Sequence, residues 1–301
     1  MRHQPYNIKS TNPFQKPGQW YKGALHVHTT RSDGRLTPQE SIKGHREHGY
    51  HFLAATDHNV ITDLSAQSDD GFLNIPGVEV TYDRNALGQS YHLCVIGVRK
   101  MLDLPPHTPI QQAIDRWAET GAVLFIAHTY WSGMVVNELM PLEKLTGLEV
   151  YNTSAHTDLG KGLASVHWDD VLVRGKRWWG YGVDDTHGTN DDAFGGWVWA
   201  KAEKLDEGHV LEALRRGEFY ASSGPQIHDF RVENGVASIR CSEVKTINFL
   251  GHTQWGFQRR AEPGKTISEA QYRLTGNERY LRAECIDAQG QAAWTNPVFL
   301  V

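Results

Sequence analysis

Cysteine is scarce in this chain: three residues in 301 (Cys94, Cys241 and Cys285), with no C-x-x-C spacing. They read as free thiols of a reducing compartment, not as a disulfide framework. Long apolar runs are missing too, since no stretch approaches the roughly 18 continuous residues of a membrane span. The opening MRHQPYNIKSTNPFQKPGQW is polar and proline-punctuated, without the apolar core of a secretory signal. The expectation is therefore a cytoplasmic protein, neither secreted nor membrane-bound. Basic charge is equally thin. Thirty Lys and Arg face 35 Asp and Glu, a formal net charge of -5, and basic residues cluster only in short pairs such as Arg215-Arg216. A long, groove-bound nucleic acid is thereby disfavoured as a partner, and a small-molecule substrate is favoured. Internal repeats and low-complexity tracts are absent as well.

The chain is long enough for one large domain and a small appendage, since domains usually run to roughly 100–250 residues. From Gly23 to about Ser223, short apolar runs alternate with helical stretches, as in β/α units. The strand candidates are Ala24–Val27, Phe52–Ala55, Val78–Tyr82, His92–Gly97, Val123–Ala127, Leu148–Tyr151, Trp178–Val183 and Trp197–Ala200. Thr37-Pro38-Gln39-Glu40 predicts a capping box with proline at the first helical position, and Thr108-Pro109-Ile110-Gln111 predicts the same device again. Gly49 and Gly121 stand where helices end. After Gly224-Pro225 the texture turns to strand: Asn234-Gly235 marks a hairpin, and Val244–Leu250, Tyr280–Ile286 and Pro297–Val301 show no helical period. The predicted division is a β/α part over 1–224 and a small all-β appendage over 225–301.

What the chain has in excess is histidine, sixteen of them. Several fall at strand ends together with carboxylates. His26 and His28 end the first strand candidate, Asp57-His58 follow the second, and Glu79 lies in the third. His92 starts the fourth, His128 follows the fifth, and Asp185-x-His187 comes after Tyr181-Gly182-Val183. In a β/α barrel the C-terminal strand ends converge on one face, so residues distant in sequence would meet there. Two histidines spaced H-x-H on a strand point the same way, which offers one ion two imidazoles. Carboxylates such as Glu79 and Asp185 can bridge ions and offset their charge, and Asp33 in the Ser32-Asp33-Gly34 turn adds a hard oxygen. Asp57 is expected to orient a ligand or a bound water, or to shuttle protons, and Glu149 is open between the same roles. His45, His48 and His51, around the first helix, read as surface or packing residues.

The segments LHVHTTRSDG, AATDHN, PGVEV, the lone His92, AHT at 127–129 and DDTH at 184–187 together resemble the PHP (polymerase and histidinol phosphatase) family over residues 23 to about 223. The resemblance implies an α/β fold, a distorted (β/α)7 TIM-like barrel, with two or three divalent ions (Zn, Mn or Fe). It implies His26, His28, Glu79 and Asp185 on the first ion, Glu79, His92 and His128 on the second, and Asp33, His58 and His187 on the third. The activity implied is a metal-dependent hydrolase, foremost a phosphoesterase acting on a small phosphate ester through a metal-bridging hydroxide. LEVYN at 148–152, GEFYASSGP at 217–225 and the ending AWTNPVFL also resemble the CehA/McbA-type metallohydrolases, which keeps a carboxylic ester or carbamate substrate open. A non-catalytic or nucleic-acid end-processing module is the third alternative. The pocket should separate the first two. Arg31 and Arg84 would serve a phosphate, whereas Tyr82, Tyr130, Trp131, Tyr151, Trp178 and Trp179 could wall a neutral ester. Arg31, Arg84, Tyr130 and Tyr151 are the substrate-binding candidates.

Overall fold

A computed structural model describes residues 12–189 and 191–300. The first two-thirds of the chain form strands β1 (Gln19–Ala24), β2 (Phe52–Ala55), β3 (Leu73–Arg84), β4 (Ser90–Ile96), β5 (Val123–Ile126), β6 (Gly147–Asn152), β7 (Trp179–Val183), β8 (Trp197–Ala202) and β9 (Phe219–Ser222). Helices α1 (Pro38–Glu47), α2 (Ile110–Ala118), α3 (Val136–Leu139), α4 (Thr153–Leu159), α5 (Ser165–Val173) and α6 (Glu207–Arg216) connect them. All lie in one large mixed sheet ordered β9-β8-β1-β2-β3-β4-β5-β6-β7.

β1, β2 and β3 run parallel, and so do β5, β6 and β7. β4 opposes both neighbours, because Asn85 to Gln89 turn the chain tightly back on β3. The expectation of uniform β/α alternation is corrected here: no helix of α type intervenes between β2 and β3 or between β3 and β4. The reversal matters for the site, because the first residues of an antiparallel strand lie beside the last residues of the strand before it. The first strand also ends earlier than predicted, at Ala24. His26 and His28 lie beyond it on an extended segment that reaches across to the far end of the sheet. There Val27 bridges Thr186, the His28 N–H donates to the Thr186 carbonyl (2.9 Å), and the Asp185 N–H donates to that of His26 (3.0 Å).

Side chains alternate along each strand, and the sheet uses both faces. Phe52, Ala54, Ile75, Cys94, Ile96, Phe125, Tyr181 and Val183 gather on one face in a core closed by Leu211, Leu214 and Phe219. Val78, Val80, Leu93, Val95, Leu124, Ile126, Leu148 and Val150 pack on the other, against Trp117 of α2 and Trp168 of α5. Helix α1 begins with the predicted capping box, Thr37 accepting from the Glu40 N–H and Glu40 from that of Thr37. Helix α2 does not repeat it. The Thr108 hydroxyl instead donates to the Pro105 carbonyl (2.6 Å), and Asp83 accepts from the Ile110 N–H (3.1 Å). Gly49 and Gly121 take the left-handed conformation that ends their helices (φ 73° and 76°).

The last strands are β10 (Ile227–Glu233), β11 (Val236–Val244), β12 (Thr246–Gly251), β13 (Gly256–Arg260), β14 (Ile267–Arg273), β15 (Tyr280–Ile286), β16 (Ala292–Thr295) and β17 (Val298–Phe299). Asn234 and Gly235, both left-handed, make the predicted two-residue turn of the β10–β11 hairpin. β10, β11 and β14 form a separate small sheet, whereas β13, β12, β15 and β16 extend the large one by pairing β16 with β9. The predicted run Pro297–Val301 contains β17, and its last residue, Val301, lies outside the described residues. Arg282 of β15, wholly buried, donates to Asp169 of α5 (2.8 and 2.6 Å) and lies over the Trp168 ring.

A Cβ on Gly147 would stand 2.0 Å from the Trp179 carbonyl oxygen, a backbone atom that cannot step aside. Gly147→Ala should destabilise the protein by about 1–3 kcal/mol, lowering the thermal midpoint by roughly 2–4 °C per kcal/mol. An unchanged midpoint by calorimetry would contradict the β6–β7 register.

Candidate metal centre

The alternation that builds the core also builds the site. Two residues beyond Ile75 is Gly77 and two further is Glu79; one such step back from Cys94 is His92; two such steps beyond Val183 lead through Asp185 to His187. Where the apolar residues of the inner face end, imidazoles and carboxylates begin. All nine positions implied by the resemblance, contributed by distant segments of the chain, come together here.

Glu79 lies at the centre. Its Oε1 is 2.9 Å from Nδ1 of His92 and 3.4 Å from Nε2 of His128. Its Oε2 is 2.9 Å from Nδ1 of His58 and 3.4 Å from Nε2 of both His26 and His28. Five imidazoles thus converge on one buried carboxylate. Asp185 Oδ1 is 3.2 and 3.1 Å from Nε2 of His26 and His28. Asp33, half exposed, lies 3.5–3.6 Å from His28, His58 and His187. His28 faces both ways, with Nε2 toward Glu79 and Asp185 and Nδ1 toward Asp33. The ligand atoms of His28, Asp33, His58 and His187, of His26, His28 and Glu79, and of His58, Glu79 and His92 form three overlapping groups of metal-binding dimensions.

The electrostatics follow from burial among opposite charges. Burial by itself would raise the Glu79 carboxyl, but the charge of His26 and the contacts of His128, His26 and His58 hold it well below the usual carboxylate range. Burial would lower His26, yet Asp185, Glu79 and Glu149 carry it well above the ordinary histidine value. His28 goes the other way, because its loss of solvent outweighs Asp185 and Glu79.

The donor set fits divalent cations. His26 Nδ1 is 2.7 Å from Glu149 Oε1, which fixes its proton there. Its Nε2 faces Asp185 and Glu79, so that either a second proton, as its raised pKa reflects, or a cation must lie between them. His187 repeats this, with Nδ1 against the Asp185 carbonyl (2.8 Å) and Nε2 toward Asp33. Glu79 Oε2, buried, receives no aligned hydrogen bond among the described residues. A cation between these atoms resolves each opposition. His26, His28, Glu79 and Asp185 would hold one, His92 and His128 would share Glu79 with a second, and Asp33, His58 and His187 would hold a third.

Glu149 is the carboxylate that sequence reasoning left open. Beyond His26 it accepts from the His128 N–H (2.6 Å) and from Asn152 (2.9 Å), whose amide also donates to Asp185 (3.1 Å). Its signal in the sequence is its place within the Leu148–Tyr151 strand candidate, whereas Asn152 enters only through the LEVYN resemblance. Asp57 hydrogen-bonds to no imidazole among the described residues. Its oxygens accept from the Thr29 N–H and hydroxyl, Ser32 and Thr62 (2.6–2.8 Å), which fastens the turn carrying Asp33.

The cluster opens into a cavity of about 440 Å³ lined also by Arg35, Trp131, Ser154, Ala155, Asp158 and Thr189. None of the four substrate-binding candidates is among the residues lining this cavity. Arg84 donates to the Gly88 carbonyl (2.6 Å) beside another cleft. Tyr151 stacks on Trp294 in the core, and Tyr130 stands outside the cavity against His167. Arg31 is exposed and absent from the lining, a place taken by Arg35. The S-D-G turn sends residue 35 back to the site, where its N–H donates to the His187 carbonyl (2.8 Å). Of the six aromatics considered for an apolar wall, Trp131 reaches the cavity, edge-on to His128.

No family model matches this chain, and no curated protein matches it in sequence. Among solved structures it is similar, over 99% of both chains, to a two-domain Bacteroides vulgatus protein containing a predicted PHP-like metal-dependent phosphoesterase (TM-score 0.54, 14% identity). A candidate metal-dependent phosphoesterase from Bifidobacterium adolescentis matches 64% of this chain and 96% of its own (TM-score 0.43, 16% identity). An amidohydrolase from Chromobacterium violaceum matches 56% and 89% (TM-score 0.41, 16% identity). The Bacteroides protein carries the fold comparison, and at this identity the likeness is one of fold. It bears out in three dimensions the PHP resemblance read from the motifs.

Glu149→Gln keeps the shape but removes the charge behind His26. Losing such a partner typically weakens metal binding about 10–100-fold. Titration calorimetry with zinc or manganese should show that loss, with Arg84→Ala unchanged; equal affinities in all three proteins would remove Glu149 from the centre.

Proposed function

We propose that the chain is a metal-dependent hydrolase, and specifically a phosphoesterase acting on a small phosphate ester. The observation that carries the proposal is the gathering of six imidazoles and three carboxylates at one open cavity. The residues after 224 supply none of these groups, which supports reading 1–224 as the metal-binding part and 225–301 as its β-rich appendage. The bridge from Val27 to Thr186 supports reading β1 to β7 as a closed, TIM-like barrel with the centre at one mouth.

Bound divalent ions would supply an acidified water and offset charge developing on the ester oxygens. The chain's own residues do the rest. Glu149 and Asn152 hold His26, the His128 backbone and Asp185 in place, and Asp57 fixes the turn that presents Asp33. Arg35, the one Lys or Arg among the lining residues, is placed to hold a phosphoryl oxygen by a charge-assisted hydrogen bond. Asp158, which also lines the cavity, would return a proton to a departing alcohol. Trp131 favours a second reading, a carboxylic ester or carbamate, because an indole wall suits a neutral substrate.

Purified zinc- or manganese-loaded protein offered p-nitrophenyl phosphate, its bis-ester and p-nitrophenyl acetate separates the two. The phosphoesterase reading expects phosphate-ester turnover that a chelator abolishes. Arg35→Ala should lower kcat/KM on the phosphate about 10–100-fold, the weight of one charge-assisted hydrogen bond, and leave any acetate turnover unaltered. Hydrolysis of the acetate alone would overturn it.

A further inference from the structure

Seven of the nine large apolar side chains exposed among the described residues fall in three short segments, at Leu87, 130–135 and 159–166. These segments adjoin one another. Asn85 donates to the Ser132 carbonyl (2.9 Å), and Leu87 covers Gly133 so closely that a Cβ there would meet it at 3.0 Å. Thr129 is 2.8 Å from His167, whose ring meets that of Tyr130, and Lys161 extends over the same tyrosine. Together they make a shelf of Leu87, Tyr130, Trp131, Val135 and Leu163, between 42% and 71% exposed. Apolar surface gathered this way marks a binding surface.

The shelf is continuous with the metal-centre cavity through Trp131, which lines the cavity, touches His128 and is still 42% exposed. It is also held rigidly. The Met134 N–H donates to the Thr129 carbonyl (3.0 Å), the Ser132 N–H to that of His128 (3.0 Å), and the Ser132 hydroxyl lies 2.9 Å from His128 Nδ1. A preformed apolar track leading out of a cavity that holds an arginine fits an amphiphile, with its anionic end at Arg35 and its apolar end along the shelf. We infer that the substrate is a phosphate ester of a long, apolar alcohol, whose alkyl chain leaves the cavity past Trp131 and lies on Tyr130, Val135 and Leu163. This inference rests on the phosphoesterase reading, and the shelf can be tested apart from it.

The metal-loaded enzyme is assayed on ethyl, butyl and octyl phosphate for released phosphate. Binding of octyl phosphonate, whose carbon–phosphorus bond resists hydrolysis, is measured in parallel by calorimetry. Each methylene that finds the shelf should raise kcat/KM about two- to fourfold. Val135→Asp and Leu163→Asp, exposed positions outside the cavity, should abolish that gain while turnover of ethyl phosphate stays as in the wild type. Turnover that is independent of chain length overturns the inference and leaves the phosphoesterase reading standing. No turnover of any ester, with octyl phosphonate bound by the wild type and not by Leu163→Asp, supports the shelf and overturns the phosphoester chemistry. Self-association in sedimentation that Leu163→Asp abolishes, without chain-length dependence, overturns the inference in favour of a subunit contact.

Discussion

One carboxylate surrounded by imidazoles sets the terms for the rest of this structure. Glu79 is buried with five histidines within 3.4 Å of its two oxygens, and neither the rings nor the carboxylate tolerate that arrangement unless protons or cations lie between them. The strands around it are organised so that the arrangement is held. β3 carries Glu79, the tight turn into β4 returns His92 beside it, and the extended segment after β1 brings His26 and His28 across to Asp185. Glu149 and Asn152 then fix the outer nitrogen of His26 and the outer oxygen of Asp185. The polar interior is the reason for the fold's irregularities at this mouth: Asn59, His128 and Asp185 all adopt positive φ (53°, 29° and 58°). Asparagine, aspartate and histidine are the side-chain-bearing residues that accept positive φ most often, and His128 lies furthest from the usual left-handed region.

Much of this was legible in the sequence, because two signals were strong. The apolar runs gave β2 to its last residue and β4 to β8 to within two residues at either end, whereas β3 begins at Leu73, five residues before the predicted start, and the H-x-H, T-D-H and D-x-H clusters marked where those runs stop. Sheet order was not readable, since a hairpin such as β3–β4 and a β/α crossover both begin with an apolar run and a polar turn. The first strand was placed too late for a related reason: Leu25 and Val27 alternate like strand residues, but Val27 bridges Thr186 at the far end of the sheet.

Roles that depend on where a side chain turns were the hardest to read. Arg31 and Arg35 flank the same S-D-G turn, and only its folding sends Arg35 to the cavity. Asp57 precedes a ligand and so suggested a partner for it, yet four donors from 29–32 and 62 claim its oxygens. Tyr151 lies on a strand that carries Glu149 and Asn152 to the site, but pairs off with Trp294 in the core. In each case adjacency in sequence was a poorer guide than the direction of the side chain.

The claim on which the account depends is that Glu79 is shared between cations, and metal content per chain tests it most directly. Protein dialysed against excess zinc or manganese, then freed of unbound metal, should carry at least two ions by plasma mass spectrometry. Glu79→Ala should lower that number by more than one, because the carboxylate it removes serves two sites. A wild-type chain that retains no metal, or a Glu79→Ala protein that retains all of it, would contradict the account.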